Sequence, residues 1–155
     1  MQLSSIKHQI IAPALMGIGL YSDTALNLVT GTGLVESGYR VTSQIGGGPA
    51  LGWFQMEPRT HDDIWVNFLR YRLDLANRIL AASGLTGLPG AENLTRNKVY
   101  SACMCRVQYL RTPVPLPSAT DAAALSAYHK QYYNTALGKA NASANTPLFQ
   151  QAINA

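Results

Sequence analysis

Charge is scarce in this chain: Asp, Glu, Lys and Arg make up 13% of its 155 residues. A solvated, disordered chain carries far more, and mean hydropathy is near zero, so a packed globular body is expected. Long apolar runs are also missing. The most apolar stretch, residues 10–20, falls short of the ~18 apolar residues that mark a membrane-spanning helix, so no span is expected. No basic tract occurs: apart from Arg70 and Arg72 the cations are dispersed, which argues against a nucleic-acid partner. Cysteine is limited to Cys103 and Cys105. They lie too close together for an ordinary disulfide and lack companion ligands for zinc, so buried free thiols are expected. His8, His61 and His129 show no metal-ligand spacing. No metal and no cofactor is expected.

What is present fits one domain spanning residues 1–155, long enough to bury a proper core. A net charge of +4 suits a polyanionic partner such as a bacterial envelope. Residues 10–20, preceded by Lys7, have the look of a signal-peptide core. Cleavage near residues 16–21 would leave a very short lead into the helix that follows. A retained packing helix, with no removed signal, is therefore expected.

The apolar spacing predicts a helix over residues 4–20, with Pro13 as a point of kinking or division. Ser22 or Asp23 is suited to cap the next helix, whose apolar positions run from Ala25 to Val35. Gly31 and Gly33 inside it imply the close approach of another backbone or a ligand. Gly38 stands where a C-terminal glycine belongs. Residues 41–45 are β-capable and precede Gly46-Gly47-Gly48-Pro49, so a small hairpin or loop near residues 41–50 is expected. Thr60, with Asp63 three positions on, approximates a capping box at the head of a long helix. Its stripe runs through Ile64, Trp65, Phe68, Leu69, Ala76, Ile79 and Leu80, and it ends at Ser83-Gly84. Further helices are expected over residues 93–110 and 121–133, joined by a rigid extended connection over residues 111–117. A loosely packed tail follows from about residue 141. The fold class is mainly α, with one small irregular insertion.

Glu36 and Ser37 end the second predicted helix. The helix dipole is negative there, a poor setting for an anion and a suitable one for a proton donor. The plain alternative is a solvated carboxylate in a last helical turn. Gly31-Thr32-Gly33 does not support a dinucleotide site, since no strand precedes it and Glu36 occupies the place of a third glycine.

Three spaced motifs carry a resemblance. Glu36-Ser37, then Gly52-Trp53-Phe54-Gln55 with Pro58 after it, then Ala127-Tyr128-His129, resemble the lysozyme-like lytic transglycosylases, a superfamily that includes the soluble lytic transglycosylases and goose-type lysozymes. The family pattern is Glu-Ser at a helix end, Gly-Leu-Met-Gln followed by Pro, and Ala-Tyr-Asn on a later helix. His129 stands where the family has Asn. Residues 46–58 and 132–139 also look like small phage-encoded proteins of this superfamily.

The resemblance implies a single-domain lysozyme-like helical fold and cleavage of the β-1,4 bond between N-acetylmuramic acid and N-acetylglucosamine in peptidoglycan. Glu36 would be the general acid, then the base toward the muramoyl 6-hydroxyl or toward water. Ser37 would bond the catalytic carboxyl or the sugar, Gln55 would hold an acetamido group or brace Glu36, and Tyr128 would orient the glycan or the acid. Trp53 either lines a sugar subsite or packs the core, and Tyr39 either stacks on sugar or caps the helix end. Glu57 is the first candidate for a second acid, with Asp62 and Asp63 behind it; otherwise it is a helix-start charge. A Cys–His nucleophile using Cys103 or Cys105 is disfavoured by their apolar mid-helix setting. The expected partners are peptidoglycan glycan strands and other virion proteins, and the expected location is a phage virion or the host cell envelope. The alternative from another class is a structural or internal virion protein with a lysozyme-like fold and little or no activity. A glycan-binding module without catalysis is a third.

Overall fold

The computed structural model describes residues 1–40, 48–133 and 140–155. These residues are mainly helical, and among them no strand forms. The hairpin expected near residues 41–50 falls largely on residues 41–47, outside the described ones. Beside them, Leu51 and Met56 exchange both backbone hydrogen bonds in a single antiparallel bridge.

The first helix, α1, spans residues 3–17. It is α-helical over Leu3–Ser5, widens to a π-helical register over Ile6–Ile11, and resumes as α over Ala12–Gly17. Helical residues run without a break through Pro13. The wide turn lies just before the proline, where the missing N–H and the ring's clash with the preceding carbonyls would otherwise strain an α register. The helix stops earlier than residue 20 because Gly19 takes a left-handed conformation and Leu20 N–H reaches back to the Leu15 carbonyl.

Ser22 caps α2 (Asp23–Glu36) by accepting from the Ala25 N–H, and Gly38 ends it with φ +63°. Gly31 and Gly33 do allow close approach, but of aromatic rings, not of a backbone or ligand. A Cβ at Gly31 would run into Phe149, and one at Gly33 into Tyr39.

The long helix expected from Thr60 is two helices, α3 (Pro58–Asn67) and α4 (Leu73–Ser83), joined by a 3-10 turn over Leu69–Tyr71. The capping box does not form: Pro58 opens α3, and Asp63 bonds Asn67 and Arg111. Residues 65–72 are rich in aromatic and β-branched side chains of modest helix propensity. The Arg72 guanidinium sits 4.4 Å over the Phe68 ring and holds the bend. Likewise the helix expected over 93–110 divides into α5 (Asn93–Arg96) and α6 (Lys98–Leu110), because Asn97 caps the second piece through the Tyr100 N–H. Asp121 caps α7 (Ala122–Tyr132).

The C-terminal tail is not loosely packed. It forms α8 (Ala142–Asn154), which packs against α2 and α7 and buries Phe149 and Ala152 completely. Lys7 from α1 donates to the carbonyls of Ala152, Ile153 and Ala155, a cation at the C-terminal end of α8. The core gathers α1, α2, α6 and α8 around Leu15, Leu28, Val29, Met104, Val107 and Phe149. Among the described residues no helix is long and apolar enough to cross a membrane.

Candidate functional site

Glu36 is the last residue of α2, and its carboxyl lies against α7. Its Oε2 is 2.8 Å from Nε2 of His129, whose side chain is 1% exposed, while that of Glu36 is 12% exposed. All eight acidic residues of the chain are described, and Glu36 alone has a largely buried side chain. Among the described residues Oε1 of Glu36 has no hydrogen-bond partner. The His129 ring stacks on Tyr133 at 5.7 Å and tilts against Phe149 at 5.8 Å, and its Nδ1 is buried without a partner. The Glu36 charge also helps to raise the pKa of Cys105, Tyr109 and Tyr133, after the larger effect of burial in each case. The Glu36 carboxyl therefore lies among groups that burial keeps protonated.

The turn over residues 51–56 lies against this helix end. Ser37 Oγ donates to the Trp53 carbonyl at 2.7 Å and accepts from the Tyr39 N–H at 3.1 Å. Ser37 thus joins two backbone segments, and its proton is not directed to the Glu36 carboxyl, one of the two partners the family likeness implied. Gly52 has φ +75°, and a Cβ there would collide with the Leu94 carbonyl oxygen, so the turn is packed directly onto α5. Tyr133 donates to the Phe54 carbonyl at 2.6 Å and closes the turn from the α7 side.

Trp53 is 8% exposed and packs in the core, with Tyr39 edge-on at 5.1 Å and the Lys98 ammonium 4.8 Å from its ring. Tyr39 is half-buried against the core. Its hydroxyl donates to the Thr30 carbonyl, and burial pushes the phenol's pKa well up. Gln55 donates from its amide to the Gly52 carbonyl at 2.9 Å. Tyr39 and Gln55 are the two non-glycine residues with positive φ among the described residues, +58° and +47°. Such backbone strain gathers where surroundings over-determine a geometry, as at functional sites.

Tyr128 is buried and does not reach Glu36. Its hydroxyl donates to the Val114 carbonyl at 2.7 Å and holds the 111–117 connection against α7. Glu57 is exposed at the head of α3, Asp62 pairs with His61, and Asp63 pairs with Arg111. The thiols are free and buried, with Cys103 pushed up to about 12 and Cys105 well above its ordinary value, neither suited to act as a nucleophile. Among the described residues no group of three or more His, Cys, Asp or Glu is placed to hold a metal.

Sequence reasoning treated His129 only as a break in the third motif and gave Tyr133 no role. Tyr133 lies four positions after His129, one turn on along the same face, which is the signal that pairs it with the site. No family model, curated protein or solved structure matches the chain, so the family likeness rests on the motif residues themselves.

Proposed function

We propose that this chain cleaves the β-1,4 bond between N-acetylmuramic acid and N-acetylglucosamine of peptidoglycan, with Glu36 as a single catalytic acid in a lysozyme-like domain. The observation that carries this reading is the state of the Glu36 side chain. It is largely buried at a helix end, held through Oε2 by His129, with Oε1 bonded to none of the described residues. General acid catalysis requires a carboxyl held in place with one oxygen available to the leaving group.

In this mechanism Glu36 donates its proton to the glycosidic oxygen as the bond breaks. The carboxylate left behind then takes a proton from the muramoyl 6-hydroxyl, giving a 1,6-anhydro product, or from water, giving hydrolysis. Two-carboxylate glycosidases place the second acid roughly 5–9.5 Å away. Here Asp62 and Asp63 are paired with other residues and Glu57 is exposed, which favours assistance by the substrate's own groups. Action at the host wall, from a phage virion or after release into the envelope, goes with this substrate.

A structural virion protein that keeps the lysozyme-like fold with little activity is the second reading, and the buried hydroxyl of Tyr128 favours it. A zymogram on purified peptidoglycan, run with wild type and Glu36→Gln, separates the two. Clearing by wild type and none by the variant is expected. An inert wild type, or equal clearing by both, would sink the enzymatic reading. Mass spectrometry of the products distinguishes anhydro-muropeptides from reducing ends.

A further inference from the structure

The partner of Glu36 is an imidazole, whose two nitrogens differ in their surroundings. A carboxylate only accepts, so the bond of 2.8 Å between Oε2 and Nε2 requires the ring proton on Nε2 whenever Glu36 is ionised. Nδ1 is buried with no hydrogen-bond partner, and Tyr133 and Phe149 flank the ring. Moving the ring proton to Nδ1 would create a buried N–H with no acceptor, a less tolerated state than a bare lone pair. It would also require proton exchange at an atom sealed from water. The Nε2–H is therefore kept when Glu36 takes up its own proton. Oε2, still accepting from Nε2–H, then acts as the carbonyl oxygen of the acid.

We propose that His129 is a positioning residue that assigns the two oxygens of Glu36: Oε2 is held by Nε2–H in both charge states, and Oε1 alone carries the transferable proton. This rests on the reading of Glu36 as the catalytic acid. The Tyr133 stack and the Phe149 contact are what keep the ring from turning Nδ1 toward the carboxyl.

The test has two arms. Nitrogen-15 NMR of the ring, near neutral pH in the whole protein, is expected to show Nε2 protonated and Nδ1 bare. A ring protonated on Nδ1 overturns the assignment. In the peptidoglycan assay, His129→Leu removes the donor and is expected to lower the cleavage rate about 100-fold, the scale of a misplaced catalytic group. His129→Gln places an amide N–H close to where Nε2 stood and is expected to recover much of that loss, which a merely space-filling ring would not. Circular dichroism melts establish that each variant is folded, and the NMR arm decides the tautomer even if His129→Leu does not fold. A cleaving wild type with an unaffected His129→Leu, or with His129→Gln as poor as His129→Leu, overturns the role of His129 alone. An inert wild type overturns the reading of Glu36, and the role of His129 falls with it.

Discussion

The hydroxyl of Ser37 donates to the backbone carbonyl of Trp53 across 2.7 Å, joining the end of α2 to the turn over residues 51–56. The same oxygen accepts the Tyr39 N–H, so one small side chain satisfies two backbone groups beside Glu36. Ser37→Ala leaves both without that partner, at a cost of about 1–3 kcal/mol. Urea denaturation should show a lower midpoint with unchanged slope. An unaltered midpoint would mean that the join contributes nothing.

Gly31 is where α8 docks on α2. A methyl there meets the Phe149 ring, and the ring cannot retreat without disturbing His129, which it contacts at 5.8 Å. Gly31→Ala is expected to cost about 1–3 kcal/mol through overpacking, despite alanine's better helix propensity. Pairing it with Phe149→Leu should recover part of the loss. Thermal melts of the single and double variants check both statements.

Tyr128 separates what the motif suggests from what the hydroxyl does. Because that hydroxyl bonds the Val114 carbonyl, Tyr128→Phe should lower stability by about 1 kcal/mol while leaving cleavage per folded molecule unchanged. A rate collapse at normal stability would instead place the hydroxyl on the substrate.

Alkali should unfold the protein early. A thiol ordinarily ionises near 9.0 and a phenol near 10.0. Burial holds Cys103 up to about 12, and Cys105, Tyr39, Tyr109 and Tyr133 well above their ordinary values. Above pH 9.0 the unfolded chain has lost protons that the folded one keeps, so raising pH favours unfolding. The stabilisation is fully present below that pH and declines as pH rises toward the folded values. Lys7 and Lys98, lowered by burial, act in the opposite sense below 10.5 but are outnumbered. Urea midpoints measured between about pH 8 and 11 should fall steadily, and Cys103→Ala with Cys105→Ala should flatten the first part of the fall.

The features legible in the sequence are those set by a few neighbouring residues. Ser22 as a cap, Gly38 and Gly84 as helix ends, and Asp121 at the head of α7 follow from local backbone chemistry and appear where that chemistry puts them. The bend at residues 68–72 was not legible, because the stripe from Ile64 to Leu80 is equally consistent with one straight helix. Only the docking of α4 onto α1 and α6 requires the turn. The packed α8 was hidden for a related reason: its anchor is a lysine of α1 more than a hundred positions away.

The candidate site divides in the same way. By itself the sequence determined that Glu36 ends a helix and that Ser37 and Gly38 follow it, since helix termination is a local matter. Only the tertiary structure decided which partner the carboxyl has. His129 lies 93 positions away and reaches Glu36 because α7 and α8 pack onto α2, with Phe149 filling the space that Gly31 leaves open. A hydrogen bond across the fold depends on how three helix faces fit together, and that fit is not written in any one stretch of the chain.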